Sequence, residues 1–469
     1  MSRAVLLAVF VAAPAFVSSA AAQSQSLPTP DVQQEGQIPE AEKRRRAAAA
    51  AAAAEASRRE APGETATYQQ VLANPDDIAL NYSFARGQIR AGDLKGAAAT
   101  LERVLMLNPD MADVRLLYAV VLYRLDDLSE SKRELETLET ASLTPTEKKE
   151  RDDYAAAVDG RMKKTHISGR LSAGYEYDSN RNAGPASGEL LLGGAAIPTA
   201  GPSARRADNA LVTQADVEAR RDLAHGNQIF ATLDYYRADQ GVLKTLNLQA
   251  YSAQAGGVWH PAPGWEVTPS ANFDHVLLGE ATFLRDRGVG VRVDHDISRH
   301  TTLFAEVRDN YDDFVNTSEV PDIGDERGIR FDATAGVEQI LNPNMKLTAS
   351  YTHEIKHAAQ DYWEYQRDSI DLSHLWLLGR GTFLLSSLAL HDDSYEQADP
   401  FISQTLRNDR TVRLGFTYGV PFDLIHPKLK DFLGTVGYEY YRAFSTVENY
   451  AYIDNKVTAL VTYRWEVGL

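Results

Sequence analysis

The 469-residue chain contains no cysteine. That excludes disulfide scaffolds, thiolate metal sites and cysteine nucleophiles, and with them an N-terminal lipid-bearing cysteine. Basic charge is scarce. Lysine and arginine number 48 against 65 aspartates and glutamates, a net of −17. Nucleic-acid binding, which needs a basic footprint, is therefore not expected. Long apolar runs are also scarce: the single one lies at the N-terminus, which excludes a bundle of membrane-spanning helices. No glycine-rich phosphate loop is present.

What is there begins with an export signal. Arg3 opens residues 1–22, an apolar stretch runs from Val5 to Phe16, and Ala20-Ala21-Ala22 offers a small-residue cleavage site. Residues 23–63 are rich in Pro, Gln, Ala and Glu. They read as a disordered or Ala-rich helical linker. Its basic run, Lys43 to Arg46, is either a solvated segment or a contact for anionic lipid.

A repeat follows in 64–162. Asn74-Pro75-Asp76 returns as Asn108-Pro109-Asp110. Leu80, Ala85 and Ile89 correspond to Val114, Ala119 and Tyr123, and Leu101 to Leu135. A period of 34 residues with helix, turn, helix and closing proline resembles the tetratricopeptide repeat. Asn81 and Arg115 stand where such repeats often carry an aromatic, and Ser131 where they usually carry alanine. Two repeats bury little apolar surface, so a preceding helix is expected near Thr65–Ala73 and a capping helix over Pro145–Met162. The first helix of each pair lines the concave face. That places Tyr82, Arg86 and Arg90 beside Tyr123 and Arg124, a basic and aromatic patch suited to partner binding.

From about Thr165 the pattern changes to period 2 and holds through 165–469. Ile167, Leu171, Ala173, Tyr175 and Tyr177 alternate with His166, Arg170, Ser172, Gly174 and Glu176. Fourteen such runs predict a 14-stranded antiparallel transmembrane β-barrel with an apolar exterior and a polar lumen lined by Arg170, Glu176, Arg330, Asp332 and Glu338. The competing architecture is a soluble sandwich. Long strands, alternating short and long connectors, and aromatics near strand ends (Tyr175, Tyr177, Tyr235, Tyr236, Trp259, Trp265, Tyr438 and Tyr440) favour the barrel. Tight connectors are expected at Asn342-Pro343-Asn344 and Gly379-Arg380-Gly381, and long ones at 178–207, 315–326 and 394–404. The span 165–469 carries 27 basic and 41 acidic residues, a net of −14.

Export signal, repeats and C-terminal barrel in this order resemble the surface lipoprotein assembly modulators. The opening of the barrel resembles that family's first strand: Gly174 and Tyr175 run into Asp178, Asn180 and Asn182, an Asp-x-Asn-x-Asn turn. The three turn side chains either bond their own loop backbone or ligate calcium. The resemblance implies an outer-membrane protein with its N-terminal domain in the periplasm. It implies delivery of lipoproteins or related secreted proteins to the cell surface, the repeats capturing the cargo or its carrier and the barrel providing the route. No catalytic residue, cofactor or metal is expected. The barrel is expected to be monomeric and in contact with outer-membrane lipid. An exopolysaccharide secretion channel, or a passive porin with an accessory scaffold, are the alternatives.

His353-Glu354-Ile355-Lys356-His357 matches the H-E-x-x-H pattern of zinc proteases. That chemistry needs a helix, where residues four apart share a face. Met345–Thr352 before it alternates as a strand, in which the two histidines stand about 13 Å apart, so a zinc site is not expected. The acidic clusters at Asp312-Asp313, Asp322/Asp325-Glu326 and Asp392-Asp393 read as solvated loop charge or as cation contacts.

Overall fold

The computed structural model describes residues 66–318 and 320–469. The expected export signal and linker lie outside the described residues. The chain forms a helical unit and a barrel unit. No helix among the described residues is long and apolar enough to cross a membrane.

The helical unit contains α1 (Tyr68–Ala73), α2 (Ile78–Ala91), α3 (Leu94–Leu107), α4 (Ala112–Arg124), α5 (Leu128–Thr137) and α6 (Pro145–Met162). Their starts follow from capping residues whose side chains accept orphaned helix N–H groups. Asp77 accepts from Leu80, Asp93 from Gly96 and Asp127 from Glu130. Thr67 with Gln70 and Thr144 with Glu147 form reciprocal capping boxes. The turn within the first repeat needs a left-handed residue. Gly92 supplies it at φ 81°, and Asp126 takes the equivalent place at φ 69°, a conformation that a short polar side chain tolerates.

The consecutive helices α2, α3 and α4 meet over Ala85, Ala97, Leu101, Val104, Val114 and Val121. The first two are fully buried, so the helices approach closely there. Tyr154 and Val158 of α6 close the second repeat against Leu116, Tyr123, Leu135 and Leu138. The polar departures have a shared purpose. Asn81 Nδ2 donates to the Pro75 carbonyl at 2.9 Å, and Arg115 donates to the equivalent Pro109 carbonyl at 2.8 Å. Each then bonds the following helix, through Arg103 and Glu134 respectively. Buried Ser131 donates to the Ala119 carbonyl at 2.8 Å. Hydrogen bonds replace the usual aromatic wedge.

The barrel unit begins with β1 (Thr165–Asp178), the short hairpin β2 (Glu189–Leu192) and β3 (Ala195–Pro198), then β4 (Asp208–Asp222), β5 (Gln228–Gln240), β6 (Leu248–Ala262), β7 (Trp265–Leu278) and β8 (Ala281–Ser298). It continues with β9 (Thr301–Phe314), β10 (Gly328–Asn342), β11 (Met345–Ala358), β12 (Tyr365–Gly379), β13 (Thr382–Tyr395), β14 (Asn408–Pro421), β15 (Phe432–Ser445) and β16 (Tyr452–Gly468). Except for the β2–β3 hairpin, the strands form one closed antiparallel 14-stranded barrel, with β1 between β16 and β4. The hairpin interrupts what the sequence pattern presents as a purely polar connector.

One rim carries tight turns at 263–264, 299–300, 343–344 and 380–381, a five-residue turn at 223–227 and the longer segment 422–431. The other carries the long connectors 179–207, 315–327 and 396–407. The exception on the long rim is Gly279-Glu280, where both residues take positive φ, as a type I′ turn requires. Thr165 enters, and β16 ends, at the tight-turn rim.

The burial pattern inverts that of a soluble protein. Outward residues are apolar and open: Leu233 is 62% exposed, Val289 61% and Val436 57%. Inward Glu176, Asp286, Asp312 and Lys356 are buried. A face of this kind is stable against lipid, and closure leaves no backbone edge unpaired there. Trp259, Trp265, Trp376 and Tyr418 lie outward toward the tight-turn rim, and Tyr175, Tyr177 and Tyr251 toward the long-loop rim. Tyr236 does not join this belt. It is one residue out of phase with Tyr235 and points inward, 4% exposed.

Candidate functional site

The site is the lumen. Its inward side chains differ in burial along the barrel axis. Toward the tight-turn rim Arg220 is 46% exposed at its side chain, and Asp296 is open too. Toward the long-loop rim Lys356 is 1% exposed, and Glu176, Asp178, Tyr236 and Leu284 are buried. The long connectors cause this asymmetry by folding inward. Ala183, Val320 and Ile323 come from two of them, Leu243 and Leu246 from the shorter β5–β6 connector, and all pack against Phe283 and Phe314. An apolar cap therefore covers the lumen at this rim. Below it lies a cavity of about 350 Å³ lined by Gln214, Ser350, Asp371, Arg413 and Glu439 among others.

The Asp-x-Asn-x-Asn turn anchors the cap. Asp178 accepts from the Asn180 amide at 2.9 Å. Asn180 donates to the carbonyls of Gly184 at 3.0 Å and Ile453 at 3.1 Å, and accepts from the Gly184 amide at 2.9 Å. Asn182 donates to Ala204 O at 2.7 Å and accepts from Arg206 N at 2.8 Å. Arg181 reaches Leu246 O at 2.8 Å, tying this loop to the β5–β6 connector. These side chains serve their own loops, and no group of three or more His, Asp or Glu among the described residues could hold a metal ion. Gly174 and Tyr175 precede the turn. Gly174 faces inward so close to β16 that a Cβ there would overlap the Ala459 carbonyl; Tyr175 faces outward.

A second anchor was not read from the sequence. Arg407, in the β13–β14 connector, lies 3.4 Å from the Tyr450 ring centroid and 4.2 Å from that of Tyr395. Its guanidinium also pairs with Asp409 at 2.6 Å. Residues from three segments thus meet on one cation. Nearby, Arg367 grips Asp393 through two bonds of 2.6 and 2.8 Å. Glu326, on the β9–β10 connector, is buried, and burial pushes its carboxyl up to about 7 against the opposing pull of Lys356. The charge clusters read as loop charge are thereby divided: Asp312 and Glu326 are buried within, while Asp313 faces out and pairs with Arg285 at 2.7 Å.

His353 and His357 both lie on the outward face of β11 and Glu354 on the inward face, where Glu354 accepts from Tyr365 Oη at 2.5 Å. The H-E-x-x-H residues do not converge.

On the repeats, Arg86 lies 5.8 Å from the Tyr82 ring centroid, and Arg90 and Arg124 are exposed. Tyr123 is corrected. It is 5% exposed, packed edge-on against Tyr154 at 5.5 Å and covered by Arg161 at 4.9 Å. The capping helix α6 removes it from the patch, because the last repeat must bury its own face.

Residues 88–141 match the tetratricopeptide repeat family. No curated protein sequence matches the chain. Among solved structures, the P58(IPK) TPR domain is 23% identical with a TM-score of 0.19, covering 20% of this chain and 26% of that one. The chain thus spans about a quarter of the length of that domain. The outer membrane channel DcaP of Acinetobacter baumannii is 9% identical with a TM-score of 0.37, covering 64% and 97%. A loop-deletion mutant of OmpT, an outer membrane protein of Vibrio cholerae, is 10% identical with a TM-score of 0.37, covering 64% and 99%. The assignment of a tetratricopeptide-repeat region followed by a closed 14-stranded barrel rests on the helix pairs and strand pairing described above.

Proposed function

We infer that the protein is a non-enzymatic outer-membrane barrel that delivers protein cargo, lipoproteins included, to the cell surface. The carrying observation is the burial asymmetry of the lumen. It is accessible from the tight-turn rim, which is the periplasmic rim of barrels of this kind, and capped at the other. A passive porin needs an open exit, and the cap opposes that reading. The chain enters the barrel at the tight-turn rim directly after α6, so the repeats belong to the periplasm in this reading. Their basic patch, reduced to Tyr82, Arg86, Arg90 and Arg124, is a surface for acidic or extended segments of cargo or carrier. The acidic balance of the barrel opposes export of an anionic polysaccharide.

The test is co-expression with candidate lipoproteins followed by protease shaving of intact cells. Delivery predicts cargo that becomes protease-sensitive only when the protein is present. Unchanged cargo exposure, with loss of a surface polysaccharide on deletion, contradicts it.

A further inference from the structure

One tier of the lumen wall carries a ribbon of aspartates with Ser252 among them. In the antiparallel register Arg170 stands opposite Asp216 and Asp216 opposite Asp234. Asp234 stands opposite Ser252 and Ser252 opposite Asp274. Asp274 stands opposite Asp286 and Asp286 opposite Asp312. Like charges directly opposite on one sheet face repel. Basic side chains pair directly at the two ends, and Arg170 also acts on Asp234 from beyond ion-pair distance. Arg170 reaches Asp216 at 3.0 Å, Arg330 reaches Asp286 at 3.3 Å and Lys356 reaches Asp312 at 2.6 Å. In the middle, Asp234 and Asp274 have no basic side chain within ion-pair distance among the described residues, and Ser252 only donates its hydroxyl to Asp274.

A second observation points to a missing donor at the β8–β9 end of the ribbon. Asn310 is 6% exposed, and its Oδ1 has no hydrogen-bond partner. That oxygen lies over Gly288, in the space a Cβ would fill, with Asn272 Oδ1 beside it. Asn272 Nδ2 in turn donates to Asp286 at 2.9 Å and to Asp274 at 3.3 Å. The ribbon and the cradle over Gly288 are thus one oxygen-rich surface whose middle is reached by only the neutral donors Ser252 and Asn272. Buried acceptors of this kind are costly unless a donor reaches them. Elsewhere on the wall Arg367, on β12, is clamped by Asp393.

We propose that Asp216, Asp234, Ser252 and Asp274, with Asn310 at one end, bind ammonium or guanidinium groups entering the lumen. The source that fits the delivery reading, on which this inference builds, is a lysine- or arginine-bearing stretch of polypeptide; a free polyamine carries the same chemistry. Among the described residues no group of acidic or histidine side chains could hold a metal ion, and several spaced acceptors along the wall suit a chain of separate cationic groups. Charge-assisted bonds of this type break with added salt.

The experiment uses the full-length chain purified in detergent, with a dye-labelled oligolysine peptide read by anisotropy and spermine read by calorimetry. The double variant Asp234→Asn with Asp274→Asn removes charge and repulsion together, so heat-modifiable migration of the folded barrel should be retained. Binding should weaken about 10-fold or more. Asp368→Asn, the same change on the outward face of β12, should alter it less than twofold. Loss of peptide binding assigns the ribbon to polypeptide, and loss of spermine binding alone assigns it to free polyamines. Binding unchanged in the double variant, or absent from the unsubstituted chain, overturns the site. Protease shaving of cells carrying the unsubstituted chain reads delivery separately: display without binding of either probe removes the ribbon and keeps the delivery reading, and binding without display does the reverse.

Discussion

At the residue scale the cap depends on a few side chains that each close several bonds. Asn180 satisfies the buried amide and carbonyl of Gly184 and the half-buried carbonyl of Ile453. Asn180→Ala leaves them unpaired, at about 1–3 kcal/mol each where water cannot replace the bond. The first connector should then open to trypsin at Arg205 and Arg206, which limited proteolysis of folded protein reads directly. Glu326 gives the cap a pH dependence. Its carboxyl is raised by burial to about 7, so the closed cap holds a proton that an opened loop releases. Closure is fully supported below the ordinary carboxylate range and weakens as pH rises to about 7, with no further change above. Protection of 315–327 against hydrogen exchange, taken relative to the base-catalysed intrinsic rate at each pH, should fall from pH 5 to pH 8, and Glu326→Gln should abolish that fall. The role of the Asx turn was legible, because Asp and Asn in that spacing bond their own backbone. The role of Arg407 was not. Its aromatic partners come from the end of β13 and from the β15–β16 connector, and no local spacing announces a contact made by chain segments that meet only after closure.

At the element scale, period and caps carried most of the fold. The helix over Pro145–Met162 was expected because two repeats bury little apolar surface, its start is capped by Thr144 with Glu147, and Thr144→Ala should cost about 1 kcal/mol of helical stability. Circular dichroism melting of the full-length protein would show it as an earlier helical transition. The Thr144 bonds hold the Glu147 carboxyl below its ordinary value. This contribution is therefore present above the ordinary carboxylate range and fades as pH falls through the lowered one. What the sequence hid was which face of the second repeat stays open. Tyr123 has the spacing of a groove residue, and only the arrival of α6 buries it. In the barrel, strand phase was readable except at adjacent aromatics such as Tyr235 and Tyr236, where either phase looks apolar. Gly174→Val should obstruct the β1–β16 seam, since a side chain there meets the Ala459 carbonyl. The expected result is loss of the heat-modifiable folded band.

At the scale of the whole molecule the alternation of connector lengths predicted a topology, and the inward folding of the long connectors gives it a consequence. Long connectors in sequence are ambiguous between extended loops and a plug; apolar residues such as Leu243, Val320 and Ile323 decide for the plug only once they are seen packed together. A tag near Gly194, at the tip of the β2–β3 hairpin, should be labelled on intact cells, and one near Asn344 should not. Arg407→Ala should destabilise the closed cap, because it leaves Asp409 buried without its cation, a loss of roughly 3–5 kcal/mol for a buried pair. The most direct measurement of a capped delivery barrel is single-channel conductance of the full-length protein in a planar bilayer. The account predicts that the unsubstituted protein stays closed and that Asn180→Ala with Arg407→Ala produces a sustained open level. A steady, porin-like conductance from the unsubstituted protein, unchanged by those substitutions, would contradict it.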